Sequence, residues 1–389
     1  MSTARTAPAK GLYRRMDALF DELGRRERGQ GFFEGVLGAL HEHFGIELGM
    51  SGAQLFAKEG SLLEALEEVG SLDGMASAPL ALADLPGERV HLMDATGADA
   101  PPYAWFELPH AERQLVFLFS FRPSWSRDAA ELVLNTACSI LSVKLDEERL
   151  GATMREAAEI QKSLLPARPP EFPGFDIAAR SRPAEAVGGD WYDFLPLGEG
   201  SLGLSIGDAS GHGLPAALMA RDVVIGLRMG VEKELKAAHA LEKLNRVLHQ
   251  STLSSCFASL LYGELEEHGG FFYYNAGHDA PLLIESSGCT LLRTGGTVLG
   301  PLHEARFRRH FAHVDRGAWL ALYTDGLIER RSDSGELFGL ERLKAVLHAH
   351  RELGAAALLE RVFDELERFG RGGAARDDET LVLVRRLAR

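Results

Sequence analysis

The chain has 389 residues, more than the roughly 250–300 at which one hydrophobic core usually stops growing, so we expect two domains. Apolar residues make up 46% of the sequence and charged residues 25%, an ordinary balance for a globular protein. The formal net charge of -14 disfavours nucleic acid or an anionic membrane surface as a general partner. Solubility alone would also explain this charge.

The cysteine and hydropathy patterns indicate a cytoplasmic protein. The three cysteines, Cys138, Cys256 and Cys289, form neither a disulfide framework nor a zinc-binding pattern, so we expect buried free thiols. The first ten residues lack the apolar core of a signal peptide. The longest apolar run, at 115–121, is far shorter than the roughly 20 residues that span a bilayer. We therefore predict no membrane association.

The first 140 residues predict a flexible N-terminal segment followed by a small sensor module. Residues 1–29 are small, basic and polar, and we expect a flexible segment. Residues 30–140 combine a helical apolar period, strand-like runs and a returning helix from about Ser126, an order that predicts an α+β domain. This order resembles a GAF domain. Trp105 and Phe106 could line a ligand pocket, although plain packing is the commoner role.

Residues 141–166 predict a linker helix because they contain good helix formers and no proline before Pro166. Apolar or small residues occupy most a and d positions of a heptad frame, with Asp146 as the misfit: Val143, Leu150, Thr153, Ala157, Ile160 and Leu164. A coiled coil that makes a homodimer is one interpretation, and a solvated helix packed on its own domain is the other. We favour the dimer because a helix joining a sensor to an effector must report the sensor state.

Residues 167–389 predict a second domain built mainly of antiparallel strands. Ten strand-like runs follow one another, many of them joined by glycine-containing turns. Four helical segments interrupt them, at about 214–230, 236–252, 339–351 and 355–369. Many strands with few covering helices favour two stacked sheets with helices outside, an αββα sandwich. The overall fold class is therefore α+β.

Four short acidic motifs lie far apart in this second domain: VGGDWYDF at 187–194, GDASGHG at 207–213, YTDGLIE at 323–329 and RDDET at 376–380. Converging carboxylates repel one another and raise each other's pKa, so such a cluster is costly unless cations neutralise it. Oxygen ligands suit Mg²⁺ or Mn²⁺. Two such ions could share a water and direct it at a phosphorus atom, so the motifs predict hydrolysis of a phosphate ester.

A longer series of motifs occurs in the order seen in a known family. The motifs are AEIQKSLLP at 158–166, PAEAVGGDWYDF at 183–194, GDASGHGLPAALMA at 207–220, NAGHDAPLL at 275–283, LYTDGLIE at 322–329, LFGLERL at 337–343 and DDETLVLVR at 377–385. Residues 158–386 resemble the PPM-type metal-dependent serine/threonine phosphatases, specifically the SpoIIE/RsbU-type branch of bacterial stress and sporulation signalling. The resemblance implies an active site with two Mn²⁺ or Mg²⁺ ions.

The resemblance also implies roles for individual residues. Asp208 would bridge both metals, and the carbonyl of Ala209 would complete the first site. Asp325 and Asp377 would hold the second metal. Asp190 matches the family acid of the first motif, which supports the metal-bound waters. Asp190 and Asp208 are thus the implied catalytic acids.

Three further residues have less certain places under the resemblance. Asp378 either supports the ligands from behind or takes the ligand role of Asp377 itself. Asp193 is a candidate for an outer supporting position. His212 is another, but it stands further from Asp208 than the family histidine does from its acid, so a general-acid role does not transfer. A turn or helix-entry role is equally open for His212.

Several neighbouring residues were also candidates for parts of the site. Arg180 and Arg182 are weak candidates for gripping phosphate. Glu379 stands where the branch usually has an apolar residue, and it either adds charge near the metals or caps its strand. His278 belongs to the NAGHDAP motif, and one interpretation is that this motif pins a loop. Asp279 stands where the branch usually has proline.

We therefore expect a protein serine/threonine phosphatase controlled by an N-terminal sensor whose ligand or partner the sequence does not identify. In the branch that the chain resembles, the substrate is a small STAS-domain anti-sigma-factor antagonist, and its dephosphorylation regulates a sigma factor. The resemblance implies the same substrate class here. One alternative is a non-catalytic signalling protein that binds a partner through the same fold. Another is a phosphatase acting on nucleotides or sugars.

Overall fold

The computed structural model describes most of the chain in a set of separate ranges. These are residues 16, 19, 32–59, 62–72, 90–94, 101–110, 113–198, 200–231, 236–250, 256–293, 295–371 and 373–388. The predicted flexible segment 1–29 lies outside them, apart from Met16 and Leu19. The chain divides into two compact units, Met1–Ala152 and Thr153–Arg389, and this division falls within the expected linker region.

The N-terminal unit is an antiparallel sheet with helices before and after it. Its elements are α1 (Phe32–Leu48), β1 (Met50–Glu59), β2 (Leu62–Gly70), β3 (His91–Met93), β4 (Tyr103–His110), β5 (Arg113–Phe121) and α2 (Arg127–Lys162). The strands lie in the order β2-β1-β5-β4-β3, and every neighbouring pair is antiparallel. This is the α+β organisation predicted for the region.

The main core of this unit lies on one face of the sheet. Leu40 and Phe44 of α1 are fully buried there together with Phe106 and Phe117, whose rings stack 4.8 Å apart. Trp105 packs on the opposite face, in a small cluster with Phe56, Val116 and Leu118. Because successive side chains of a strand point to opposite faces, Trp105 and Phe106 cannot line one pocket. That sequence-based suggestion is wrong, and Phe106 is a packing residue.

Helix α2 is longer than predicted. The returning helix expected from about Ser126 and the linker helix expected over 141–166 form one continuous helix of 36 residues. Its first half is buried in the N-terminal core at Val133, Leu134 and Leu141. Further along, three of the predicted heptad residues are exposed: Val143 by 58%, Leu150 by 60% and Ile160 by 57%.

The C-terminal unit contains ten strands and five helices in the part of it that the structure describes. The strands are β6 (Phe175–Arg182), β7 (Trp191–Pro196), β8 (Ser201–Ala209), β9 (Ala258–Glu266), β10 (Gly270–Ala276), β11 (Leu282–Glu285), β12 (Gly288–Leu291), β13 (His310–His313), β14 (Trp319–Tyr323) and β15 (Glu379–Arg386). The helices are α3 (Gly213–Gly230), α4 (Ala237–Gln250), α5 (Asp325–Glu329), α6 (Gly339–Ala349) and α7 (Ala355–Phe369).

These strands form two five-stranded sheets that pack face to face. One sheet has the order β13-β10-β9-β8-β7 and the other has the order β12-β11-β14-β15-β6. Leu204 and Ile206 of β8 meet Val382 and Val384 of β15 in the core between the sheets. The outer face of the first sheet packs against α3 and α4, and that of the second against α6 and α7. This arrangement confirms the predicted αββα sandwich.

The strand pairing brings the acidic motifs to one edge of the sandwich. In the first sheet, β7 begins beside the end of β8, since Trp191 pairs with Gly207. In the second sheet, β14 ends beside the start of β15, since Tyr323 pairs with Leu381. Asp190 precedes β7 and Asp208 lies at the end of β8, while the other two motifs flank the β14–β15 pair. Antiparallel pairing therefore joins the motifs two by two, and the packing of the two sheets brings the two pairs together.

Within the ranges given above, no helix combines the length and the apolar character needed to span a bilayer.

Candidate metal centre

Glycines let the backbone of the acidic motifs approach closely at this edge. A Cβ atom on Gly189 would lie 2.6 Å from the carbonyl oxygen of Ala209 and 3.0 Å from Asp208 Oδ1. A Cβ on Gly326 would lie 2.1 Å from the carbonyl oxygen of Asp378. Only glycine fits at these two positions, because any other residue would drive the segments apart. The motif glycines are thus a condition for the acids to converge.

Asp378 organises the loop before β7. Its buried carboxylate accepts three backbone hydrogen bonds, from Ala184 N at 2.8 Å, Gly189 N at 2.6 Å and Asp190 N at 3.2 Å. A carboxylate so occupied has little capacity left for an ion. Of the two alternatives that the sequence left open, this geometry favours Asp378 as the residue that supports the ligands and Asp377 as the ligand.

Asp190 is buried and oriented by threonine. Thr324 Oγ1 donates a hydrogen bond to Asp190 Oδ2 at 2.7 Å, and the same hydroxyl accepts one from Thr380 N at 3.0 Å. Burial raises the pKa of Asp190 well above its usual value, and the nearby charge of Asp208 raises it further. Thr324 therefore connects Asp190 of the first sheet to the β14–β15 pair of the second.

The remaining acids repel one another across the site. Burial and the charges of Asp325, Asp377 and Asp378 raise the pKa of Asp208 to about 8. Burial, with a contribution from Glu329, also raises the pKa of Asp325. The pKa of Asp377 rises because of burial and the charge of Asp325. The carboxylates of all four motifs thus lie within electrostatic reach of one another and repel one another.

The donor set fits a hard divalent cation that keeps part of its hydration shell. In the part of the chain that the structure describes, no three acidic, histidine or cysteine side chains form a tight metal-ligand group. The oxygen donors at the site are instead separate carboxylates and the carbonyl of Ala209, which a Cβ on Gly189 would contact. Mg²⁺ is commonly held by one or two carboxylates and several waters, so such a spaced arrangement suits it and Mn²⁺.

His212 and Asp193 lie away from the centre of this group. His212 is 87% exposed at the start of α3, and its Nδ1 lies 3.2 Å from Glu185 Oε1. Asp193 is buried and forms a two-point ion pair with Arg228, at 2.7 and 3.0 Å. Asp193 therefore belongs to a separate ion pair, whereas a protonated His212 lies near enough to Asp377 to lower its pKa.

The arginines suggested as phosphate ligands are already occupied. Arg180 pairs with Glu360 and stacks over Phe363, while Arg182 pairs with Glu367 and Glu379. These contacts give no support to a phosphate-gripping role.

Glu379 is fully buried, and it is neutralised by Arg182 and by Arg330, whose Nη1 lies 3.3 Å from Glu379 Oε1. It acts neither as an extra charge at the metals nor as a simple strand cap.

The NAGHDAP motif forms a pinned loop beside the site. The Asn275 side chain accepts a hydrogen bond from His278 N at 2.8 Å and donates one to His278 O at 2.9 Å. His278 Nδ1 lies 2.7 Å from Ser259 Oγ, and Ser259 pairs with Asp208 across β8 and β9. Burial lowers the pKa of His278 to about 4, so its ring is neutral at pH 7. The loop-pinning interpretation agrees with these contacts.

Two residues that the sequence reasoning did not assign, Thr324 and Glu329, contribute to the site. Thr324 bonds Asp190, as described above. Glu329 lies four residues after Asp325 in α5, and its charge raises the pKa of both Asp325 and Asp279. Burial and these two acids bring the pKa of Asp279 to about 6. The i, i+4 spacing of Asp325 and Glu329 was the only available signal for the second acid.

Comparison with known proteins agrees with the fold and with the motifs. Residues 198–387 match the family model described as "Stage II sporulation protein E (SpoIIE)". The chain is 28% identical over 246 residues to "Phosphoserine phosphatase RsbU" of Bacillus subtilis, which covers 62% of this chain and 72% of that protein. It is 26% identical over 204 residues to "Phosphoserine phosphatase RsbP" of the same organism, covering 51% of this chain and 49% of RsbP.

A solved structure shows the same fold. The SiaA-PP2C domain of Pseudomonas aeruginosa superposes with a TM-score of 0.55 at 20% identity, covering 62% of this chain and 97% of that domain. The C-terminal unit therefore has the fold of a PP2C-type phosphatase domain. Residues 198–387 match the SpoIIE family model, which agrees with the resemblance seen in the sequence.

Proposed function

We propose that the chain is a metal-dependent protein phosphatase that hydrolyses a phosphoserine or phosphothreonine of a regulatory protein. The observation that carries the proposal is the group of mutually repelling carboxylates from four motifs at one edge of the sandwich. The relatives named as phosphoserine phosphatases support the same reaction class. Repulsion of this kind is retained in proteins where a bound cation offsets it.

The residues present would divide the work among them. Asp208 and the carbonyl of Ala209 would hold a first Mn²⁺ or Mg²⁺ ion, and Asp325 and Asp377 would hold a second beside it. When bound, two such ions lower the pKa of a water and polarise the phosphoryl group. Asp190, held by Thr324, would orient water and accept its protons. No side chain has to form a covalent bond to phosphorus in this arrangement.

We propose a STAS-domain anti-sigma-factor antagonist as the phosphorylated substrate, with sigma-factor regulation as the outcome. The similarity to RsbU supports this substrate class. Because Arg180 and Arg182 are occupied, affinity for a substrate should depend on docking of the folded protein more than on the phosphate alone. Turnover of a phosphorylated STAS protein well above that of nucleotides or sugar phosphates is the expected result.

We also propose sensor control and dimerisation. The N-terminal unit, with its five-stranded antiparallel sheet and flanking helices, is proposed as a GAF-like sensor for an unidentified ligand or partner. The exposed apolar residues Val143, Leu150 and Ile160 of α2 support a homodimer through this helix. A cytoplasmic location is part of the same proposal.

Hydrolysis of p-nitrophenyl phosphate with and without Mn²⁺ tests the reaction. We expect wild-type turnover to require Mn²⁺, and Asp208→Asn and Asp325→Asn to lower kcat at least about a thousandfold, because each removes a ligand of the ions that activate water. Asp364→Asn is the matched control, since Asp364 is exposed on α7, the helix that packs on the outer face of the second sheet. Wild-type protein inactive on this compound and on a phosphoprotein would favour the non-catalytic alternative.

A further inference from the structure

The side chain of Gln161 joins the end of helix α2 to the Gly188–Asp190 loop of the metal centre. The proposed mechanism gives this side chain no role. Gln161 lies in the last turn of α2 and is half-buried. Its Oε1 accepts a hydrogen bond from Gly188 N at 3.0 Å, and its Nε2 donates one to Gly188 O. The amide group thus satisfies both backbone groups of one residue, as a neighbouring β-strand would.

Gly188 is confined on its other side by Asp378. A Cβ atom at this position would lie 2.1 Å from Asp378 Oδ2. That same oxygen accepts the hydrogen bonds of the next two residues, Gly189 and Asp190. The backbone from Gly188 to Asp190 is therefore clamped between the amide of Gln161 and the carboxylate of Asp378.

The residues that follow Gln161 are fastened to β7 as well. Arg228 Nη2 donates to Leu164 O at 2.9 Å, and the same guanidinium forms the ion pair with buried Asp193 of β7. The hydroxyl of Tyr192, also on β7, donates to Pro166 O at 3.4 Å. These bonds fix the end of the helix relative to the strand that begins directly after Asp190, so the two move as one unit.

The clamped loop positions several groups of the centre. Asp190 projects from it, and Gly189 O accepts a hydrogen bond from Ala209 N at 3.2 Å. Gly189 also sets how closely the loop approaches the Ala209 carbonyl and Asp208. A displacement of Gly188 would therefore change the spacing of the first-site ligands without touching any ligand directly.

We propose that Gln161 is a positioning residue of the metal centre. Its amide holds the Gly188–Asp190 backbone where Asp190 and the Ala209 carbonyl can serve the same ion. The inference rests on the proposed function, since it assigns Gln161 a part in preparing that same site. It explains why a helix end is tied through a side-chain amide to a loop that Asp378 already holds.

The test compares three variants of the full chain by calorimetric titration with Mn²⁺. Gln161→Met keeps the side-chain length but makes neither hydrogen bond, and Gln161→Glu keeps the acceptor for Gly188 N while placing a charged oxygen against Gly188 O. We expect both to bind Mn²⁺ roughly ten- to a hundredfold more weakly, the usual effect of losing an outer partner of metal ligands. Lys162→Ala, an exposed neighbour in the same turn, should match the wild type.

A second measurement reports on the loop without metal. In Gln161→Met, the amides of residues 184–190 should exchange with deuterium about tenfold faster, while strands β8 and β15 keep their protection. Unchanged Mn²⁺ affinity in Gln161→Met would overturn the proposal, whether or not the variant is less stable to heat. Wild-type protein that binds Mn²⁺ but hydrolyses no phosphate ester would contradict the proposed function alone, because affinity and exchange do not depend on turnover.

Discussion

At the scale of single residues, Asp208 carries a strong electrostatic signature in the site. Its pKa of about 8 lies far above the value of about 4 that an aspartate has in an unfolded chain. A carboxyl whose pKa is raised by folding stabilises the protein while it is protonated. That contribution is fully present below about pH 4 and is lost as the pH rises through about 8. A divalent cation would replace the lost stabilisation by neutralising the charge.

We therefore predict that Mn²⁺ raises the melting temperature more at pH 8 than at pH 6. At the lower pH, protons compete with the ion for the carboxylate of Asp208, whereas at pH 8 about half of the Asp208 carboxyls of the metal-free protein are ionised and repel the other acids. Differential scanning calorimetry with and without Mn²⁺ at both pH values measures the difference. Asp208→Asn should remove most of it, and an equal shift at both pH values in the wild type would contradict the prediction.

The glycines show what the sequence conveyed at this scale and what it did not. The sequence indicated tight turns beside acids at Gly188–Gly189 and Asp325–Gly326. It also identified the acids of these motifs as candidate site residues. The partners of those glycines could not be selected, because the contact of Gly326 with Asp378 and that of Gly189 with Ala209 depend on tertiary packing. The role of Thr324 escaped prediction for the same reason, since its hydrogen bonds reach two other segments.

At the scale of elements, the start of β15 is held by a buried ion-pair network. Glu379 is fully buried between Arg182 of β6 and Arg330 at the end of α5, and burial raises its pKa despite both arginines. We predict that Arg330→Met lowers the free energy of unfolding by about 1–3 kcal/mol, because the buried Glu379 carboxylate then keeps only Arg182 as a cationic partner. Urea denaturation measures this change.

The matched control for that prediction restores the charge balance. In the double variant Arg330→Met with Glu379→Gln, the buried carboxylate is gone and Arg182 keeps an amide acceptor, so most of the stability should return. A double variant as unstable as Arg330→Met alone would show that Arg330 acts through packing rather than through its charge.

Helix α2 carries several exposed apolar residues in its second half. Val143, Leu150 and Ile160 recur at heptad spacing and are more than half exposed. We predict that Leu150→Glu converts a dimer into a monomer, because it places charge in the seam of a coiled coil. Light scattering after gel filtration measures the mass. Arg155→Glu, at an outer heptad position, should leave the mass of a dimer unchanged, and a monomeric wild-type protein would refute the proposed assembly.

The N-terminal strands show where periodicity misleads at this scale. The strands β1, β3 and β5 overlap strand-like runs of the sequence at 48–57, 89–95 and 115–121, whereas no such run was recognised at β2 or β4. Strand β2 is an edge strand rich in glutamate and largely exposed, so neither composition nor alternation marks it as a strand. The ten strands of the C-terminal unit were all predicted, since most are buried and bounded by turns. The short helix α5 was missed because one turn carries too little periodicity.

At the scale of the whole molecule, the sequence led to the α+β class, the αββα sandwich and the SpoIIE-family resemblance, and all three are confirmed. The order of the motifs was decisive for the resemblance, because it is the order seen in the family even though the acids are far apart in the sequence. The sensor ligand, the substrate and the assembly stay predictions. They depend on surfaces that complement another molecule, and a single sequence does not encode that molecule.

The number of Mn²⁺ ions bound per chain tests the central claim most directly, because the claim is that four separate motifs converge to hold two ions. Calorimetric titration of the full chain at pH 8 should give about two ions for the wild type. It should give at most one for Asp325→Asn, and Asp364→Asn should bind as the wild type does. Wild-type protein that binds no Mn²⁺, or an Asp208→Asn variant that binds as many ions as the wild type with equal affinity, would contradict the account.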